Sequence, residues 1–170
     1  QYIVFGLNRF GTSVARTLAA AGIEVVAVDH DADRVAQIAD EVSYAVQVDV
    51  ADEDAMSGLG MEHMDGAVIA VSSNMEASIV IAMKCKEYNI PQIIATGKNE
   101  VHGKVLKKLG VTRVVFPEVE MGVRVGKYLT ARDFSDWINL SNDYSMVEIA
   151  VPKPWINHSM AELGIRTKYG

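Results

Sequence analysis

Six short apolar runs, each followed by a helix-compatible stretch, constrain this chain more than any other feature. The runs are YIVFG, EVVAVD, YAVQVDV, GAVIAVS, PQIIAT and TRVVFP. They are continuous rather than alternating, as strands covered on both faces are. Between them lie RFGTSVARTLAAAG, ADRVAQIADE, DEDAMSGLG, NMEASIVIAMKCKEYN and EVHGKVLKKLG. Parallel strands cannot be joined by tight hairpins and need such crossovers, which are right-handed. The repeat predicts an α/β fold: a Rossmann-like doubly wound parallel sheet of about six strands. A chain of 170 residues, 49% hydrophobic, can bury that core.

After Pro117 the pattern changes. EVEMGVRVGKYLTA is helix-compatible, RDFSDWINL reads as a second short helix, and SNDYS is a polar break. MVEIAVPKPWINHSMAELGIRTKYG reads as strand, proline-marked turn and short helix. That last piece cannot bury a core alone, so a second, incomplete lobe is expected. The chain opens on Gln1 inside a strand-like run, and further residues are expected before it.

The first strand runs into GLNRFG, Gly6 to Gly11, and then into a helix. A phosphate-binding turn of this kind reads G-x-G-x-x-G. Its first glycine permits the tight turn, its second the approach of a pyrophosphate, its third the packing of helix on strand. Gly6 and Gly11 fill the first and third places, and Asn8 holds the middle one. Asn8 tolerates positive φ better than most residues, yet its side chain stands where a phosphate would press. The helix N-terminus still offers unpaired N–H groups and a positive dipole end. Asp29 closes the second strand, 18 residues after Gly11, where an acidic residue typically receives ribose hydroxyls and repels a 2′-phosphate.

Other chemistries find little support. DHDADRVAQIAD imitates a calcium loop, but Arg34 stands where that loop needs Gly and Asp40 where it wants a bidentate Glu. Asp31 is better read as a helix N-cap, and Asp52, Glu53 and Asp54 as complements to a helix dipole. The four histidines fall in no zinc spacing. No nucleophile elbow, Walker lysine or catalytic dyad stands out, so no enzyme activity is expected. Cys85, the single cysteine, reads as core packing in a reducing compartment. A net charge of −6 argues against nucleic acid as a partner.

GLNRFG, VDHDADRV, VDV, SSNMEAS and FPEVEMGV, in this order, resemble the KTN/RCK family. These are the TrkA- and KtrA-type cytosolic regulatory subunits of potassium transporters and channels. The resemblance implies a nucleotide-binding domain over residues 1–130, a helical crossover or hinge over 131–142, and the beginning of a C-terminal lobe over 143–170. It implies NAD(H) or ATP/ADP as regulator, with a divalent cation as a further possibility. It implies a homodimer built into a ring, and an integral-membrane potassium transporter or channel as partner at the inner face of the plasma membrane.

By motif match, Gly6, Asn8, Arg9, Phe10 and Gly11 belong to the phosphate loop, with Arg9 reaching terminal phosphates. Asp29 holds the adenosine ribose, with His30 and Arg34 beside it. Asp49 and Val50 form the adenine-side turn. Ser72, Asn74 and Ala77 line the turn after the fourth strand. Glu118 is an acidic residue near the phosphates and the candidate metal ligand. Two departures from the family pattern are Asn8 and Thr96, the latter standing where many relatives carry Lys or Arg, with Lys98 offset from that place. The rival readings are an NAD-dependent oxidoreductase and a nucleotide-blind oligomerisation module.

Overall fold

The structure, a computed structural model, describes residues 1–50, 52–130, 134–139 and 145–169. It divides into two compact units, Gln1–Pro117 and Glu118–Gly170.

In the first unit the elements alternate strictly. They are β1 (Tyr2–Phe5), α1 (Arg9–Ala20), β2 (Val25–Asp29), α2 (Ala32–Ile38), β3 (Tyr44–Gln47), α3 (Glu53–Ser57), β4 (Gly66–Ile69), α4 (Met75–Glu87), β5 (Gln92–Thr96), α5 (Glu100–Lys108) and β6 (Arg113–Val115). The six strands form one parallel sheet in the order β3-β2-β1-β4-β5-β6, the Rossmann-like doubly wound sheet that the strand runs predict.

Alternation along the strands divides the core into two layers. Ile3 and Phe5 of β1, Val26 and Val28 of β2 and Ile69 of β4 pack with Ile81, Ala82 and Cys85 of α4 and Leu106 of α5. Val4, Val25, Ala27 and Val68 face the other way, onto Ala15 of α1 and Ile38 of α2. Ile3, Val4 and Phe5 are at most 1% exposed, and each fully buried side chain of this size contributes about 1.5–3 kcal/mol.

Four helices begin on Asx caps just past strand ends. Asn8, Asp31, Asn74 and Asn99 each accept hydrogen bonds from the first-turn N–H groups of α1, α2, α4 and α5. Such caps satisfy donors that the helix itself leaves unpaired. Asp31 is therefore the cap its sequence context predicts.

The second unit contains α6 (Pro117–Thr130), β7 (Phe134–Asn139), β8 (Ser145–Ile149) and α7 (Ile165–Tyr169). Here the structure corrects the sequence reading. Residues 134–139, expected as part of a helical crossover, form a strand paired antiparallel with β8, with Trp137 opposite Val147. Phe134, Trp137 and Ile138 follow the i, i+3, i+4 spacing of a helix, but pairing with β8 supplies backbone hydrogen bonds that local sequence does not foretell. The remainder of the expected crossover, residues 131–133 and 140–142, lies outside the described residues.

Candidate functional site

The sheet order places a topological switch between β1 and β4. From β1 the chain winds outward through β2 and β3, then returns to β4 on the other side of β1. Loops leaving the carboxyl ends of β1 and β4 diverge, and a crevice opens between them, the usual ligand position in such sheets. A cavity of about 480 Å³ lies there, within the range of small-molecule sites.

Gly6 forms its neck. It has φ +91°, and a Cβ on it would lie 2.8 Å from the Ala70 carbonyl oxygen. Gly11 packs beneath the turn: a Cβ there would lie 1.8 Å from the Gly6 carbonyl oxygen. Both glycines thus have the tight-turn and close-packing roles that the motif assigns to them.

Asn8 does not take up the positive φ that its residue type tolerates. Its φ is −70°. Its side-chain Oδ1 accepts from the Phe10 and Gly11 backbone N–H groups, both at 3.0 Å. Its Nδ2 donates to the Ala70 carbonyl at 2.6 Å. The carboxamide spans the crevice from the head of α1 to the end of β4, and it takes two of the N–H groups that this loop type offers to a phosphate.

Asp29 sits at the end of β2, its side chain 3% exposed. Oδ2 accepts from the Leu7 N–H at 2.6 Å and Oδ1 from the Asp31 N–H at 3.0 Å. His30 Nδ1 stands 3.0 Å from Oδ1, and Arg34 Nη1 3.6 Å from Oδ2. Asp29 therefore fixes the glycine loop to β2. A carboxylate has about four acceptor positions; the Leu7 and Asp31 N–H groups hold two, and a ligand hydroxyl would take the place of the more exposed His30 or Arg34 at the others.

Of the residues expected at the site, Gly6, Asn8, Asp29, His30, Arg34, Asp49, Val50, Ser72, Asn74 and Ala77 all line this cavity. Three others from the loop do not. Arg9 faces a neighbouring shallow depression, which it shares with Arg34 and Asn8. Phe10 packs against the α1-side core layer, and Gly11 is buried under the turn. Glu118 is exposed and belongs to the second unit.

Val48, Val71, Ser73 and Ile81 also line the cavity and went unread in the sequence. Position just past a strand end is the signal that could have found the first three. Thr96 is buried and donates its hydroxyl to the Ile69 carbonyl at 3.3 Å, joining β5 to β4. Among the described residues, no group of three or more His, Cys, Asp or Glu is placed to hold a metal ion.

The TrkA-N domain model matches residues 2–117, the span of the whole sheet. The chain is 35% identical over 170 residues to the Ktr system potassium uptake protein C of Bacillus subtilis (strain 168), covering 100% of this chain and 77% of that protein. It is 34% identical over the same length to the Ktr system potassium uptake protein A of that organism, again 77% of it. Among solved structures it resembles the GsuK channel bound to NAD, with a TM-score of 0.68 at 19% identity over 98% of this chain and 30% of that one. At that identity the likeness speaks for the fold alone. From the match across the sheet and the similarity to both Ktr proteins along the entire chain, the protein belongs to the TrkA-N, or KTN/RCK, family.

Proposed function

We propose that this chain is a nucleotide-binding regulatory subunit of a potassium-uptake system, not an enzyme. The observation that carries the reading is the coincidence of similarity to Ktr potassium uptake proteins along the whole of this chain with a cavity flanked by Gly6 and Asp29 at the sheet's switch point. The cavity suits an adenosine nucleotide. Gly6 brings the backbone close, Asp29 offers a carboxylate to ribose hydroxyls, and Asp49 and Val50 stand on the adenine side.

NAD(H) and ATP/ADP are the candidate ligands. The chain works as a homodimer, in a ring, against an integral-membrane potassium-conducting partner on the cytoplasmic side. Ligand occupancy shifts the two lobes about a hinge, and that movement sets conduction. For this the ligand must bind one state better than the other, with a coupling of roughly 1–3 kcal/mol. Among the described residues no helix is long and apolar enough to cross a membrane, which fits a division of labour between this chain and a pore.

Calorimetric titration of the chain with ATP, ADP, NAD⁺ and NADH tests the reading directly. Saturable binding of at least one, weakened when Asp29 is replaced, is the expected result. Absence of binding to all four favours the nucleotide-blind oligomerisation module, to which the internally capped α1 terminus lends some weight.

A further inference from the structure

Asn8, like Arg34, lines both the cavity and the Arg9-bearing depression and so stands between them. Two of its three hydrogen bonds occupy N–H donors at the head of α1 that a bound phosphate would use, and the third holds the carboxamide there through the Ala70 carbonyl at the end of β4, an acceptor that a phosphate cannot bond. We propose that the Asn8 carboxamide stands in for a ligand phosphate. The cavity then selects nucleotides through their adenosine end and gains little from phosphates placed at the loop. The inference rests on the nucleotide reading above and names the ligand feature that this loop ignores.

A phosphate oxygen forms stronger bonds to N–H groups than a neutral amide oxygen does. To form them here it must first displace Asn8 Oδ1 from both donors. The same movement breaks the Nδ2 bond to Ala70 and leaves that carbonyl facing an anion. Charge assistance on one side is set against three lost bonds on the other. The two N–H groups are already satisfied, so the terminus attracts an anion less than an open one does.

The test is a phosphate ladder. Adenosine, AMP and ADP are titrated at one fixed salt concentration into the chain, Asn8→Ala and Asn8→Gly. Adenosine, AMP and ADP are expected to bind the unmodified chain within about threefold of one another. Both variants should gain about tenfold or more from adenosine to ADP, the scale of one charge-assisted hydrogen bond. Glycine is accepted at helix N-caps, and matching far-UV spectra check that both variants are folded. Asn8→Ala keeps a Cβ and separates the carboxamide from plain crowding.

A ladder as steep in the unmodified chain as in Asn8→Gly overturns the proposal while leaving nucleotide binding intact. So does a gain seen with Gly but not with Ala, which assigns the effect to the Cβ. A flat ladder in all three also overturns it. If none of the three proteins binds any of these compounds, the nucleotide reading itself fails and this inference with it.

Discussion

The α carbon of Gly11 lies so close to Gly6 that a Cβ on it would stand 1.8 Å from the Gly6 carbonyl oxygen. That atom is backbone at the neck of the turn and cannot rotate away. Gly11→Ala is therefore expected to push α1 off β1 and to cost about 3 kcal/mol, at the upper end of overpacking effects. Equilibrium urea unfolding measures this. A loss under about 1 kcal/mol would show that the turn yields more easily than its geometry says.

Asp29→Ala should lower two quantities together. The buried Leu7 N–H loses its acceptor, costing about 1–3 kcal/mol of stability. Binding of any adenosine ligand should weaken by a further ~1.5–3 kcal/mol, the worth of a hydrogen bond to a charged group. Measured below the melting transition, unchanged affinity alongside reduced stability would leave Asp29 as a structural brace only.

His102 predicts a pH dependence. The ring is fully buried, its Nδ1 accepts from the Lys98 backbone N–H at 3.1 Å, and Nε2 has no partner. Burial, and then the Lys98 charge, lower its pKa from the ordinary 6.5. The folded state resists a proton that the unfolded chain accepts. Stability from this group is thus complete above about pH 6.5 and lost as pH falls from there towards the lowered folded-state value. Melting temperatures between about pH 7.5 and 5.5 should fall, and His102→Gln should flatten part of that slope. Equal slopes in both proteins would exonerate His102.

The α6 helix presents Met121, Val125 and Leu129 at 55%, 48% and 75% exposure, an i, i+4, i+8 stripe that calls for burial. The chain should be a dimer or larger by light scattering at tens of micromolar, roughly the range in which a Kd near 1 μM shows. Val125→Glu should shift it towards monomer without changing the far-UV spectrum. A monomer in the unmodified chain refutes the assembly.

Cys85 is buried and its thiol is pushed up to about 12 by burial. At pH 8 the native chain should react with a thiol reagent at least about a hundredfold more slowly than the unfolded chain. Fast labelling without denaturant would mean that α4 opens readily.

The sheet was readable because continuous apolar runs between amphipathic helices admit few packings. Asp29 was readable because its place at the end of β2 follows from the unit's length. Asn8 was only half readable. Its position in the loop was plain, but the direction of its side chain depends on the Ala70 carbonyl, 62 residues further on. The same holds for residues 134–139, whose helical spacing was overruled by pairing with residues 145–149. The motif places Arg9 in the loop, but which depression it lines depends on the course of the turn, and it lines the one beside the cavity.

The central place of β1 bears on how the protein is made. β1 is made before both strands that flank it, and it is among the most buried. Its partner β2 follows within 29 residues, but its other partner, β4, is complete only at Ile69. Throughout that interval one edge of β1 has open N–H and C=O groups beside Ile3 and Phe5, the kind of surface on which nascent chains pair wrongly. The strand that anchors the finished sheet is thus the one left longest half-covered, and substitutions that delay β4 should reveal themselves in yield before they reveal themselves in stability.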